Sequence, residues 1–263
     1  MTPQQGVDWL AKIPRLCHPA LTALGAILLH RSRKQVAYKG LSKAFPEMDA
    51  VMQAQISRHC AKNQLSSLLN LLHIDKLNFQ TQGLELIKNQ SNPQQGGILL
   101  SVHLGIADAS TWLLNQHGIS TKTIVGAGTD GKNKESQWVA ALLDKINCPY
   151  IERKQGFMVE AVHQLNQGHW LTFHCDMNAP GEKHSFFGHP TQIPAVGIQL
   201  AMLTNVPIVF CFGWQGEHQY QLKFEPFTKQ TTTAEMVAQL VAYMEKSIRA
   251  HPEHWIWHYN RWK

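Results

Sequence analysis

His103 and Asp108, with Leu104-Gly105-Ile106-Ala107 between them, directly follow the apolar run Gly97-Ile98-Leu99-Leu100-Ser101-Val102. Such a run reads as a buried strand, the small Gly105 and Ala107 suit a tight exit, and a helix can begin at Ala107 and continue through Leu114. An imidazole and a carboxylate are thereby placed together at a strand's carboxyl end. A neutral His103 can take the proton of a substrate hydroxyl while Asp108 holds the other ring nitrogen and stabilises the imidazolium that forms. The chemistry implied is activation of an alcohol as a nucleophile. A histidine and an aspartate five positions apart also describe a capped turn with a hydrogen-bonded imidazole, so the surrounding residues have to decide.

Arg153 and Lys154 follow Tyr150-Ile151 and precede Gly156, which puts them in a loop at the sheet edge that carries His103. Ligands collect at that edge of parallel sheets, and an arginine there can bind phosphate or polarise a carbonyl oxygen; solvated loop charge is the bland alternative for both residues. Asp176 ends another strand at the same edge, where it can orient Arg153, bind the acceptor or cap its own loop. His174, Cys175, Asp176, His184 and His189 match no local spacing of metal ligands, and no metal is expected. Cys175 beside His174 is conceivable as a nucleophile, although a strand-end cysteine is more often an inert buried thiol. The aromatic and cationic segment from Pro252 to Lys263 suits a membrane interface, anchoring in the core or nucleic acid. The basic residues form no stripe along one helix and no nucleic-acid motif accompanies them, so nucleic acid is not an expected partner.

The elements that hold these residues follow a simple order. From Val7 to about Leu72 apolar residues recur at helical spacing, giving a helical front. Leu84-Glu85-Leu86-Ile87 reads as a short strand, and Asn89 to Gln95 is a polar turn cluster. Strand and helix then alternate: helix 107–115, strand Thr121 to Gly126, helix around Glu135 to Ile146, strand Tyr150-Ile151, helix Phe157 to Asn166, strand Trp170 to His174. A helix from about Ala195 to Leu203 and a strand from Ile208 to Gly213 follow, then a strand from Gln219 to Phe224 and a helix from Ala234 to about Ala250. The order predicts an α/β fold with a largely parallel central sheet, helices on both faces and a helical N-terminal region. No repeat, low-complexity tract or linker divides the chain, so residues 1–263 are read as one domain, with a membrane-associating segment over about 1–72.

The 263 residues, 44% apolar, fill a sizeable core. A formal charge of +6 and 15 histidines favour anionic partners: phosphorylated lipid, an acidic carrier protein or nucleic acid. Cys17, Cys60, Cys148, Cys175 and Cys211 are odd in number, widely spaced and free of any Cys-x-x-Cys pair, as reduced cytosolic thiols are. No basic region ahead of an apolar core marks a secretory leader at the start. Pro19 to Leu29 is apolar but about half the length that crosses a bilayer, and His30-Arg31-Ser32-Arg33-Lys34 follows it, so it is expected to lie on a membrane. The longer apolar stretch from Ile193 to Trp214 is punctuated by Thr204-Asn205-Val206-Pro207 into a core helix and strand.

From about Gly96 to Lys263 the chain resembles the late acyltransferases of lipid A biosynthesis, a branch of the lysophospholipid acyltransferase superfamily. The resemblance rests on His103-x4-Asp108 after its strand and on Asp176 after Gly168 to His174. It rests further on Ser185-Phe186-Phe187-Gly188-His189-Pro190 running into the Gly197 to Leu203 helix, and on Glu245 to Arg249 with Pro252 to His258 and Arg261-Trp262-Lys263. It implies His103 as general base, Asp108 as its partner, and Arg153, Asp176 and Lys154 around the active centre for substrate or oxyanion binding. The implied reaction moves a fatty acyl group from an acyl carrier protein thioester to a hydroxyl of lipid A or its precursor. It needs no cofactor and takes place peripherally, at the anionic cytoplasmic face of the bacterial inner membrane. Family members usually carry Asn-Trp where this chain has Ile106-Ala107, and usually begin with a membrane-spanning helix that is not read here. A related branch moves glycine from a carrier to lipid A and confers resistance to cationic antimicrobial peptides, so glycyl transfer is the alternative. A non-catalytic protein that binds anionic lipid or nucleic acid is the third reading.

Overall fold

The computed structural model describes residues 1–126 and 134–262. Three helices open the chain: α1 (Pro3–Ala11), α2 (His18–Ala44) and α3 (Ala50–Leu71). The carboxylate of Asp49 starts α3 by accepting from the Met52 N–H at 2.7 Å, which satisfies one of the donors a helix leaves open at its beginning. The rest alternates as expected. In chain order come β1 (Phe79–Gln82), α4 (Glu85–Lys88), β2 (Gly97–Ser101), α5 (Ala109–Gln116), β3 (Thr121–Gly126), α6 (Lys134–Lys145), β4 (Tyr150–Arg153) and α7 (Phe157–Asn166). There follow β5 (Trp170–His174), β6 (Glu182–Phe186), β7 (His189–Ile193), α8 (Val196–Thr204), β8 (Ile208–Gln215), β9 (Tyr220–Pro226) and α9 (Thr233–Ala250).

Seven strands form one sheet in the order β1-β9-β8-β2-β5-β3-β4. All neighbours run parallel except β8 and β9, which are antiparallel. The central strand β2 is buried on both faces, which is why its sequence is a continuous apolar run and not an alternation. Ile98 and Leu100 pack with Leu165 of α7, Ile198 of α8 and Leu240 of α9, whereas Leu99 packs on the opposite face with Leu114 of α5 and Leu143 of α6. Each such buried side chain contributes about 1.5–3 kcal/mol, so this sandwich holds the strand ends in place.

The structure corrects three element assignments and adds a hairpin. Leu84 to Ile87 is not a strand: after Gly83, at φ +76°, the chain makes the single turn α4, and Ile87 is buried. The strand is instead Phe79–Gln82, which pairs with β9 at the sheet's far edge. The helix after His103 begins at Ala109, two residues later than Ala107, and β4 continues through Arg153. Ser185 to Pro190 instead closes an antiparallel hairpin, β6 with β7, whose turn is Phe187-Gly188 and which the sequence reading did not anticipate. Phe187 and Gly188 take φ of +51° and +75°, the left-handed pair that a two-residue hairpin turn demands.

The segment after α9 is anchored in the core. Trp255 and Trp257 are buried, and Arg261 is completely so. Arg261 Nη1 donates to Thr191 Oγ1 and Nη2 to the Gln192 carbonyl, both at 2.7 Å, and its guanidinium lies 5.3 Å from the centre of the Phe186 ring. These contacts tie the segment to the β6–β7 hairpin. Lys263 lies outside the described residues.

Candidate active site

His103 lies two residues beyond the end of β2 and its side chain keeps about 30% of its surface exposed. The turn that follows depends on Gly105. Its φ is +59°, and a Cβ there would come within 3.1 Å of the Gly213 carbonyl oxygen, so a larger residue is disfavoured by conformation and by space. The Gly105 N–H donates to the His254 carbonyl at 3.2 Å, and Leu104 forms an antiparallel bridge with Trp255. The C-terminal segment thus clamps the loop that carries His103.

The partner of His103 is Asp176, not Asp108. His103 Nδ1 lies 2.7 Å from Asp176 Oδ1, and the main-chain N–H of His103 donates to Asp176 Oδ2 at 3.1 Å. The same Oδ2 accepts from the indole Nε1–H of Trp255 at 2.7 Å. Asp176 is fully buried. Burial opposes its charge, yet the charge and hydrogen bond of His103 and the hydrogen bond of Trp255 outweigh that cost and hold the carboxyl at about 2. An ionised carboxylate only accepts, so the proton of a neutral His103 sits on Nδ1 and Nε2 carries the lone pair. Burial likewise disfavours the imidazolium, but Asp176, with a further contribution from Asp108, raises the affinity of His103 for a proton above that of an ordinary imidazole.

Asp108 serves a second histidine. Its Oδ1 lies 3.2 Å from His174 Nε2 and 3.2 Å from Thr123 Oγ1. Thr172, Thr111 and Thr123 form a chain of hydroxyls with 2.8 Å links that ends at this carboxylate. Asp108 occupies the cap position of α5, but its side chain makes no capping hydrogen bond there, so the capped-turn alternative does not describe it. Burial again opposes its charge, and the hydrogen bond and charge of His174 prevail, keeping the carboxyl below its usual range. The register of the sheet explains the exchange of partners. Ser101 of β2 lies opposite His174 of β5, so the two strands end side by side and each delivers a histidine. The rings of His103 and His174 lie 4.5 Å apart at 38°. Asp176 follows His174 by two residues and reaches across to His103, while Asp108, returning from the turn, meets His174. His174 Nδ1 is buried and has no hydrogen-bond partner among the described residues.

Arg153 and Lys154 are placed elsewhere. Arg153 is the last residue of β4, opposite Gly126 of β3, and both cations are exposed. β4 is the edge strand, three places from β2, which at strand spacing is about 14 Å. Asp176 therefore orients His103 and not Arg153. Cys175 is buried, its thiol donates to the Phe173 carbonyl at 3.3 Å, and burial pushes it up to about 12, which makes it a packing residue and not a nucleophile. No group of histidine, cysteine, aspartate and glutamate among the described residues could hold a metal ion. Sequence reasoning missed the roles of His174 and Trp255. The signal for His174 was two neighbouring parallel strands each ending in histidine; for Trp255, no local pattern exists.

A largely parallel α/β sheet here presents a carboxylate-held imidazole at the carboxyl ends of its central strands, where ligands of such sheets collect and where an imidazole has the chemistry to take a proton from a hydroxyl. The chain belongs to the bacterial lipid A biosynthesis acyltransferases, whose family model matches residues 7–263. Membership makes it an acyltransferase and lipid A or a precursor its acceptor. No curated protein matches the chain. Among the described residues no helix is long and apolar enough to cross a membrane.

Proposed function

We propose that the protein transfers a fatty acyl group from a carrier-protein thioester to a hydroxyl of lipid A or its precursor, with His103 as general base. The observation that carries this reading is the 2.7 Å contact between His103 Nδ1 and the fully buried Asp176. It leaves Nε2 as the ring's free base. The acceptor oxygen attacks the thioester carbonyl while Nε2 takes its proton; an oxygen–carbon bond forms, the carbon–sulfur bond breaks, and the proton passes from His103 to the departing thiolate. Asp176 compensates the charge of the transient imidazolium. His174, fixed by Asp108, packs against the His103 ring and keeps it aligned. Arg153 and Lys154 act at the rim of the sheet, on the charge of the acceptor or of the carrier.

The glycyl alternative loses one of its supports. In that reading an acid or carbonyl accepts from the glycyl ammonium, and the acid it pointed to, Asp176, already has both oxygens engaged with His103 and Trp255. The apolar residues Leu16, Leu24, Ile27 and Leu28 are exposed along the N-terminal helices, followed by Arg31, Arg33 and Lys34, which suits peripheral attachment to an anionic inner-membrane surface. The deciding assay offers purified protein both acylated and glycylated carrier with the lipid A precursor and weighs the lipid product. A gain of one fatty acyl group is expected. A gain of glycine would replace the donor, and no gain with either would overturn the reading.

A further inference from the structure

Between α2 and α3 runs a groove of about 330 Å³ that the acyl-transfer chemistry does not use. Its floor is apolar. Ala23, Ala26 and Ile27 lie along it, and the two alanines leave the space that larger residues would fill. Arg31 of α2 and Arg58 and Lys62 of α3 stand on its walls, with His30 and His59 beside them. All three cations are exposed. Among the described residues, the lysine and arginine ion pairs are those of Lys145, Lys223 and Lys246, so no carboxylate neutralises this rim. Arg58 uses its Nε on the Ala54 carbonyl at 3.1 Å, which directs one edge of the guanidinium to its own helix and leaves its terminal nitrogens for another ligand.

The field inside the groove is correspondingly positive. His30, on its wall, is disfavoured as an imidazolium first by burial and then by the charges of Arg58 and Lys34. Three like charges around a shared apolar trough are mutually repulsive until an anion enters. Just outside, Leu24 and Leu28 keep 58% and 59% of their surface exposed. An anion that fits both halves of this surface carries alkyl chain next to its charge. Inorganic phosphate and nucleic acid lack the alkyl chain, and the carboxylates of an acidic protein surface carry at most two methylenes beside their charge.

We infer that the α2–α3 groove is a binding site for the phosphate head group of a single anionic lipid, with Arg31, Arg58 and Lys62 on the phosphate and the first methylenes over Ala23, Ala26 and Ile27. The site is distinct from the dyad, and its existence does not depend on which group the enzyme transfers. It does have a path to the dyad. His30 Nδ1 lies 3.1 Å from Ser57 Oγ, and Ser57 Oγ lies 3.4 Å from His258 Nε2, on the same C-terminal segment whose Trp255 holds Asp176.

The test uses the full chain and dihexanoyl phosphatidic acid below its micellar concentration, with binding followed by native mass spectrometry and by titration calorimetry. One lipid per chain is expected, with dihexanoyl phosphatidylcholine bound at least about tenfold more weakly, because its head group bears no net charge. Arg58→Glu and Lys62→Glu should each weaken phosphatidic acid binding about tenfold or more. Ala23→Phe, at an exposed position, keeps every charge and fills the trough, and it should weaken binding to a similar degree. Each variant is first shown to melt like the parent. Affinity unchanged from the parent in all three variants, or displacement of the lipid by millimolar inorganic phosphate, overturns the proposal. So does loss of acidic carrier-protein binding in Arg58→Glu with lipid binding intact, which would give the rim to the carrier. Loss of transferase activity in the parent with lipid binding retained would defeat the proposed function and leave the groove standing.

Discussion

Two histidine–aspartate pairs lie side by side at the ends of β2 and β5, and they differ in what surrounds them. In the first, Asp176 is sealed from solvent and each of its oxygens has a donor, while His103 remains partly open. In the second, His174 is the more enclosed ring, and Asp108 retains 18% of its side-chain surface. One pair presents a base outward and buries its counter-charge; the other buries its ring against the first. Chemical identity is the same in both pairs. In the proposed mechanism that difference in burial is what makes one pair the base and the other its support.

Substitutions can break that distinction. The largest effect is expected from His103→Ala, which removes the base and should lower transfer between about a hundredfold and ten-thousandfold, with the melting temperature nearly kept. Near-normal turnover in a folded His103→Ala protein would dissolve the distinction altogether. Asp176→Asn should follow at about a hundredfold, because the ring loses both its orientation and its counter-charge. The same substitution sharpens the case through pH. Since His103 binds its proton more tightly than a free imidazole, kcat/KM of the parent should rise with pH through a value above the ordinary ~6.5, and in Asp176→Asn that limb should move to lower pH. Asp176 is depressed from 3.8 to about 2, so it contributes roughly 2 kcal/mol of stability at pH 7. That contribution is complete above the unfolded carboxylate value and is lost as pH falls toward 2. Denaturant titrations of the parent and Asp176→Asn should therefore differ at pH 7 and converge in strong acid.

Asp108→Asn removes a more distant charge. About a tenfold loss is expected, with a smaller downward move of the same acidic limb, because Asp108 also raises His103. A loss equal to that of Asp176→Asn would erase the ranking of the two pairs. Smallest of all, Arg153→Ala on the edge strand should change kcat by less than about twofold and show itself, if anywhere, in KM. A hundredfold fall in kcat would bring Arg153 into the reacting centre after all.

How much of this was legible in the sequence differs by region. The continuous apolar runs of β2, β5 and β8 and the helical spacings between them gave the parallel sheet directly, because burial on both faces leaves a compositional mark. His103, Asp108 and Asp176 were readable as residues of one sheet edge for the same reason. Their pairing was not. Whether a carboxylate meets one imidazole or its neighbour depends on register between β2 and β5, strands separated by about seventy residues, and only the folded sheet fixes that. Arg153 was misplaced because a strand's end says which edge it reaches and not how far along the sheet it lies. The aromatic segment after α9 and the apolar N-terminal helices look alike as lists of residues, yet Trp255 and Trp257 are buried while Leu24 and Leu28 are exposed. Composition sets affinity for apolar surroundings, and partners elsewhere in the chain decide whether protein provides them.

The indole of Trp255 ties the dyad to a segment remote from it in sequence. Asp176 takes the donor on its Oδ2 from Trp255, and the His103 turn takes its clamp from His254 and Trp255. These residues follow α9, whose Leu240 belongs to the core that covers β2. A chain that has paired its strands without this segment hence holds both members of the dyad and still lacks the last partner of its carboxylate, so the final contacts of the fold are also the ones that complete the site.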